Sequence, residues 1–159
     1  MTVQIGDRAP DFALPPAPGP ETVSLASFRG EQPVVVLFFP LAFSPHCTDE
    51  VCSVAEDWGR WEALGTEVVA ISVDSPFVVQ KFARETGVPF PIVSDFNREA
   101  ATAYGVLYEN YWGLKGVAKR SAFVIDREGV VRWRWVSEDD SVQPPFEEIL
   151  GIVGGLRAD

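Results

Sequence analysis

The chain has 159 residues, 47% hydrophobic and 23% charged, which suits one domain spanning 1–159 with a real core. A formal net charge of −10 makes nucleic acid and an anionic membrane surface poor partners. No apolar stretch approaches ~18 residues, and Met1–Arg8 lacks the basic and apolar regions of a signal peptide, so neither a membrane span nor export is expected and the cytoplasm is the expected compartment.

In chain order, Pro15–Pro20 is an early proline-rich loop, too near the start to divide domains. Val34–Phe39 is short, β-branched and aromatic on both faces, which predicts a buried strand. Ser44 then reads as an N-cap, Pro45 as N1 and Cys47 as N3 of a helix running to about Leu64. Val51, Val54, Ala55, Trp58, Trp61 and Leu64 fall near a 3.6-residue period and predict its core face. Glu67–Val73 predicts a second buried strand, Pro76–Thr86 a helix ended by Gly87, Ile92–Ser94 a short strand, and Arg98–Tyr104 a short helix closed by Gly105. Ala122–Asp126 and Val130–Val136, joined by Arg127-Glu128-Gly129, predict a hairpin, and Phe146–Val153 a closing helix. Strands alternating with helices imply a parallel core pair, and the hairpin adds antiparallel edge strands, giving an α/β mixed sheet with helices on both faces. Trp133 and Trp135 alternate on the last strand and are expected on an exposed face that could support dimerisation.

Cys47 and Cys52 are the only cysteines, which excludes a disulfide scaffold. A thiol in a helix's first turn faces amides that favour the thiolate, the reactive form. Asp49 and Glu50 push the other way, and a strongly acidic thiol would need a buried cation besides. Arg120, at the foot of a strand able to lie beside Val34–Phe39, is the candidate; a plain surface arginine is the bland reading of it. Cys47 itself reads either as a small buried hydrophobe or as an activated nucleophile. In a straight helix, residues five apart have Cα atoms roughly 8–9 Å apart, whereas a disulfide tolerates at most about 7 Å. Cys47 and Cys52 therefore cannot bond unless the helix start unwinds. Cys52 is either a partner of that kind or a bystander. The single histidine, His46, leaves too few ligands for a structural zinc site, and no glycine-rich phosphate loop is present, so no metal or cofactor is expected. Asp74, Asp95 and Asp126 each end a strand and read as turn residues.

The segment Phe38-Phe39-Pro40-Leu41-Ala42-Phe43-Ser44-Pro45-His46-Cys47 resembles the peroxiredoxin signature, Pro-x-x-x-(Thr/Ser)-x-x-Cys at the end of the first core strand. Gly6–Leu14 is similar to that family's N-terminal hairpin, Val23–Gly30 to its lead-in, and Lys119–Gly129 to the segment bearing its active-site arginine. Phe39-Pro40-Leu41-Ala42-Phe43 and Ser94-Asp95-Phe96 look like the one-cysteine alkyl hydroperoxide reductase E group, whereas Cys47-Thr48-Asp49-Glu50-Val51-Cys52 looks like the Q-type, bacterioferritin comigratory protein group. Ser44 stands where threonine is commoner; it keeps the hydroxyl and loses a methyl.

The resemblance implies a thioredoxin-like fold with an N-terminal hairpin and a thiol peroxidase acting on hydrogen peroxide and organic hydroperoxides. It implies Cys47 as the peroxidatic thiolate, and Ser44, Arg120 and the His46 and Cys47 amides as donors to the departing oxygen. Pro40 would shield the thiolate and Glu50 would hold Arg120. Cys52 would resolve the sulfenic acid as an intramolecular disulfide, reduced by thioredoxin or a similar dithiol protein, in a monomer or homodimer. A thioredoxin-like disulfide exchanger and a non-enzymatic interaction module are the competing readings. The Cys-x4-Cys spacing, and Arg120-Ser121 where the thioredoxin cousins carry a cis-proline, argue against the exchanger.

Overall fold

The computed structural model describes residues 2–28 and 30–157. Among the described residues seven strands form, β1 (Ala13–Leu14), β2 (Val23–Ser24), β3 (Val34–Phe38), β4 (Glu67–Ser72), β5 (Ile92–Ser94), β6 (Ser121–Ile125) and β7 (Val131–Val136). The helices are α1 (Pro45–Glu56), α2 (Trp58–Ala63), α3 (Pro76–Thr86), α4 (Glu99–Tyr104) and α5 (Phe146–Arg157). The main sheet runs β5-β4-β3-β6-β7, parallel across its first three strands and antiparallel beyond β3.

Every residue of β3 and β6 is buried, as expected of strands covered on both faces. Val34, Val36 and Phe38 face a layer containing Ile71, Phe123 and Tyr104 of α4, together with N-terminal residues. Val35 and Leu37 face the opposite layer, with Val51 and Val54 of α1, Trp61 of α2, Phe82 of α3 and Ile149 of α5. The mixed sheet with helices on both faces is therefore as expected. The hairpin β1–β2 encloses the proline-rich loop. Upstream of it, segment 6–9 bonds to the far end of the main sheet: the Gly6 amide donates to the Val131 carbonyl at 2.8 Å, and that of Ala9 to Gly129 at 2.9 Å. In the lead-in, Leu25–Phe28 is a single 3-10 turn; Arg29 lies outside the described residues.

Apart from one-residue shifts at strand and helix ends, three features differ from expectation. The helix expected to reach Leu64 is two helices, because Asp57 leaves helical geometry at φ −100° and ψ 17°. Aspartate favours helix ends, and Gly59 two residues on weakens the next turn. The closing helix runs four residues past Val153, to Arg157. Trp133 and Trp135 do not form an open aromatic face: both are half-buried against the core layer that α5 joins, and Trp133 Nε1 donates to Glu148 Oε1 at 3.4 Å.

Of the strand-ending aspartates expected in turns, Asp126 closes one, Asp95 caps a helix, and Asp74 reaches across to the Ala42 amide. Asp126 Oδ1 accepts from the amides of Glu128 and Val130, both at 2.9 Å, closing the β6–β7 turn in which Gly129 takes φ 85°. Buried Asp95 accepts from the Ala100 amide at 3.0 Å and the Ala101 amide at 2.8 Å, satisfying first-turn donors of α4. Register does the rest: Phe38 pairs with Ser121 and with Ile71, so Arg120 stands at the C-terminal edge of β3. Asp95→Ala should lower unfolding free energy by about 1–3 kcal/mol, read as an earlier urea midpoint.

Candidate active site

The turn between β3 and α1 is tightly built. Pro40 is buried two residues past β3. Phe43 adopts the left-handed φ of 70°, an unfavourable conformation for a bulky residue, and its ring is held against Phe82 at 5.1 Å between centroids. The Ala42 amide donates to Asp74 Oδ2 at 2.7 Å. These contacts fix where α1 begins. Ser44 is the N-cap in extended geometry and Pro45 follows at N1, as the sequence predicts. The Ser44 hydroxyl does not cap the helix; it donates to the Leu41 carbonyl at 2.9 Å and stays within hydrogen-bond reach of Cys47. The amides of His46 and Cys47 therefore have no capping side chain.

Cys47, Arg120 and Glu50 meet at full burial, each 0% exposed. Arg120 Nη2 lies 3.2 Å from Cys47 Sγ, Nη1 pairs with Glu50 Oε1, and Nε donates to the Asp140 carbonyl at 2.9 Å. The guanidinium thus uses its planar fork on a thiol, a carboxylate and a carbonyl. Burial pushes the Cys47 thiol up; Arg120, Ser44 and a backbone hydrogen bond from Leu41 pull it down, and Glu50 pushes it up again, leaving a net rise. The balance that local charges left open is thus decided in the closed site by desolvation. Burial likewise lifts Glu50 above the usual carboxylate range, against the pull of Arg120.

Three contributors escaped the sequence reading. The 137–143 loop supplies the Asp140 carbonyl to Arg120, and Gln143 Nε2 donates to the His46 carbonyl at 2.8 Å. The Tyr111 hydroxyl donates to Asp140 Oδ2, and burial, Asp140 and nearby Cys47 push that phenol up. Neither loop has a periodic pattern or a motif to flag these residues. Cys52 is half-buried and unbonded within the wound α1, and burial, Glu56 and Asp49 push its thiol up. Of the six predicted site residues, Cys47, Ser44, Arg120 and Glu50 come together, Pro40 lies buried at the same turn, and Cys52 is held away by the helix.

Residues 5–134 match the model of the AhpC/TSA family. A peroxiredoxin-named protein of Mycobacterium tuberculosis is 41% identical over 128 residues, covering 79% of this chain and 80% of that protein. Alkyl hydroperoxide reductase E of Mycobacterium bovis is 34% identical over 143 residues, covering 89% and 90%. Among solved structures, peroxidoxin BcpB from Mycobacterium tuberculosis superposes with a TM-score of 0.82 at 28% identity, covering 96% of this chain and 97% of that one. A peroxiredoxin-like protein from Aquifex aeolicus does so with a TM-score of 0.86 at 25% identity, covering 98% and 89%. With a thiol, a carboxylate and a guanidinium at the edge of a sheet of this topology, the chain belongs to the AhpC/TSA family, the thiol-dependent peroxidases called peroxiredoxins.

Proposed function

We propose that Cys47 is the peroxidatic thiol and that Arg120 is its transition-state clamp. The observation that carries this is the buried guanidinium 3.2 Å from Cys47 Sγ. The thiolate attacks the distal oxygen of a peroxide; an S–O bond forms, the O–O bond breaks, and the departing alkoxide or hydroxide takes the electron pair and a proton. Cys47 becomes a sulfenic acid. Negative charge spreads from sulfur onto two oxygens during this step, and Arg120 and the free amides at His46 and Cys47 are donors already in place for it. Ser44 positions the peroxide from the same turn, and Pro40 keeps water off the sulfur.

The closed sulfur favours a small substrate. A folded disulfide client could not reach a fully buried thiol, whereas hydrogen peroxide or the head of an organic hydroperoxide needs room for two oxygens. Cys52 resolves the cycle: with the start of α1 unwound, its thiol attacks the sulfenic sulfur, an S–S bond forms and water leaves. A thioredoxin-like dithiol reduces that bond in a reducing, cytoplasm-like compartment.

Cys47→Ser should abolish peroxide consumption. Cys52→Ser should keep the first oxidation and stop turnover with thioredoxin, and one equivalent of peroxide should remove two protons by mass from the wild type only. A stable sulfenic form in the wild type would make Cys52 a bystander. Because burial raises Cys47, the rate constant for peroxide should climb with pH beyond neutrality. Arg120→Ala should lower it by about 10²-fold or more.

Glu50 gives a stability signature. Its carboxyl is raised from 4.5 to about 7 in the fold, chiefly by burial, so the folded state binds the extra proton between those values. The contribution is fully present below the unfolded value and is lost as pH rises through the folded one. The stability of the wild type relative to Glu50→Gln should therefore fall across that interval by on the order of a few kcal/mol, read from urea unfolding on either side of it. A flat difference would show that Glu50 is ionised throughout.

A further inference from the structure

Arg120 is one cation between two groups that each become anions, and all three are 0% exposed. With both anions present the buried cluster carries −1; with one it is neutral, and in low dielectric the neutral arrangement is favoured. Glu50 is only half satisfied. Its Oε1 meets Arg120, but its Oε2 is buried without a partner. Gln143 Oε1 is likewise buried without a partner. Gln143 docks on the same turn of α1, its Nε2 holding the carbonyl of His46, four residues before Glu50. Glu50 stands one turn beyond that carbonyl on α1. Glu50 Oε2 and Gln143 Oε1 are thus two buried acceptors that none of the neighbouring donors meets, and a proton on Glu50 supplies one.

We propose that near neutral pH the reduced site holds a single negative charge shared between Cys47 and Glu50, so that the thiolate that attacks is the one facing a carboxylic acid at Glu50. The proposal rests on the reading of Cys47 as the peroxidatic thiol. The first step is an exchange, Cys47–SH with Glu50–COO⁻ giving Cys47–S⁻ with Glu50–COOH. Attack on ROOH then forms the S–O bond and breaks O–O; the alkoxide ends with the carboxyl proton as ROH, and the site holds Cys47–SOH and Glu50–COO⁻. The cluster stays neutral through both states, with Arg120 charged throughout. Glu50 acts through Arg120 as a charge-compensating residue and need not touch the peroxide.

Among the described residues, no second cation is bonded to Cys47 or Glu50. On α1, His46 and Asp49 are exposed. From the segment before β6, Lys119 pairs with Glu138 at 2.7 Å, Tyr111 bonds to Asp140, and Tyr108 donates to the Glu138 carbonyl. Asp139, in the loop after β7, is exposed and accepts from the Ser141 amide. Burial pushes both Cys47 and Glu50 up and Arg120 pulls both down, as one cation serving two anions requires.

The test titrates the Cys47 thiolate by its ultraviolet absorbance in a Cys52→Ser background, with and without Glu50→Gln. With Glu50 present the thiolate should appear in two steps, because the two groups titrate as a pair. Glu50→Gln should give one step, moved down by about one unit, or tenfold more thiolate at a given pH. A Glu50 that merely orients Arg120 predicts the opposite direction, since losing the clamp raises the thiol. Infrared difference spectra on peroxide addition keep the question open to disproof should the variant fold poorly: with Glu50 present a carboxylic-acid carbonyl band should disappear as Cys47 oxidises. An unchanged or raised Cys47 titration in Glu50→Gln, or no such band, overturns the proposal. A Cys47 that does not react with peroxide at all overturns instead the reading on which it rests.

Discussion

A guanidinium with no solvent around it has to be neutralised where it stands, and this site is organised around that demand. Arg120 is placed by register: the antiparallel pairing of Ser121 with Phe38 sets it at the end of the central strand, where α1 also begins. Its three donating positions then fix a thiol from the first turn of α1, a carboxylate from the second and a carbonyl from the loop after β7. Removing any one partner leaves a buried charge short of hydrogen bonds, which is far more costly than losing a surface pair. The pieces are in that sense mutually dependent.

The same closure sets the chemistry and its difficulty. Burial disfavours the thiolate, yet the thiolate is the form that attacks. The site resolves this conflict by keeping the compensating cation as buried as the sulfur. On the proposed mechanism, water is excluded from a reactive group while the donors that would meet the leaving oxygen stand ready. The strained Phe43 turn and the Asp74 contact hold α1 at the height where these donors and the sulfur coincide. For the second half of the cycle the same turn must come apart. On the proposed cycle, the wound segment from Cys47 to Cys52 is both the closed catalytic state and the obstacle to resolution.

Much of this was legible in the sequence, for identifiable reasons. Val34–Phe39 announced a strand buried on both faces, and Ser44-Pro45 announced where the helix starts. The strand expected at 122–126 made Arg120 a candidate neighbour of Cys47, while the resemblance of 119–129 to the arginine-bearing segment, rather than any local pattern, chose it over a plain surface arginine. The strand and helix signals are local: periodicity, proline and cap chemistry. What the sequence did not show depends on long-range packing. The helix break at Asp57 has only a weak local cause. Trp133 and Trp135 alternate as a half-exposed strand should, but whether their outward face meets solvent or α5 is decided by a helix that follows them in sequence. Asp140, Gln143 and Tyr111 lie in irregular loops, and their contacts with Arg120, His46 and one another arise from tertiary folding alone. The thiol's upward shift was also hidden, because local charges oppose one another while the depth of burial decides the direction.

The account makes Arg120 act on the breaking O–O bond as well as on the thiol's acidity, and these can be separated by two reagents. The decisive measurement compares Cys47 in the wild type and in Arg120→Ala, timing its reaction with hydrogen peroxide and with a neutral alkylating agent at matched thiolate fraction. The peroxide reaction should slow far more than the alkylation, which needs the thiolate but no clamp on a departing oxygen. Equal slowing of both would contradict the account and reduce Arg120 to a residue that tunes the thiol.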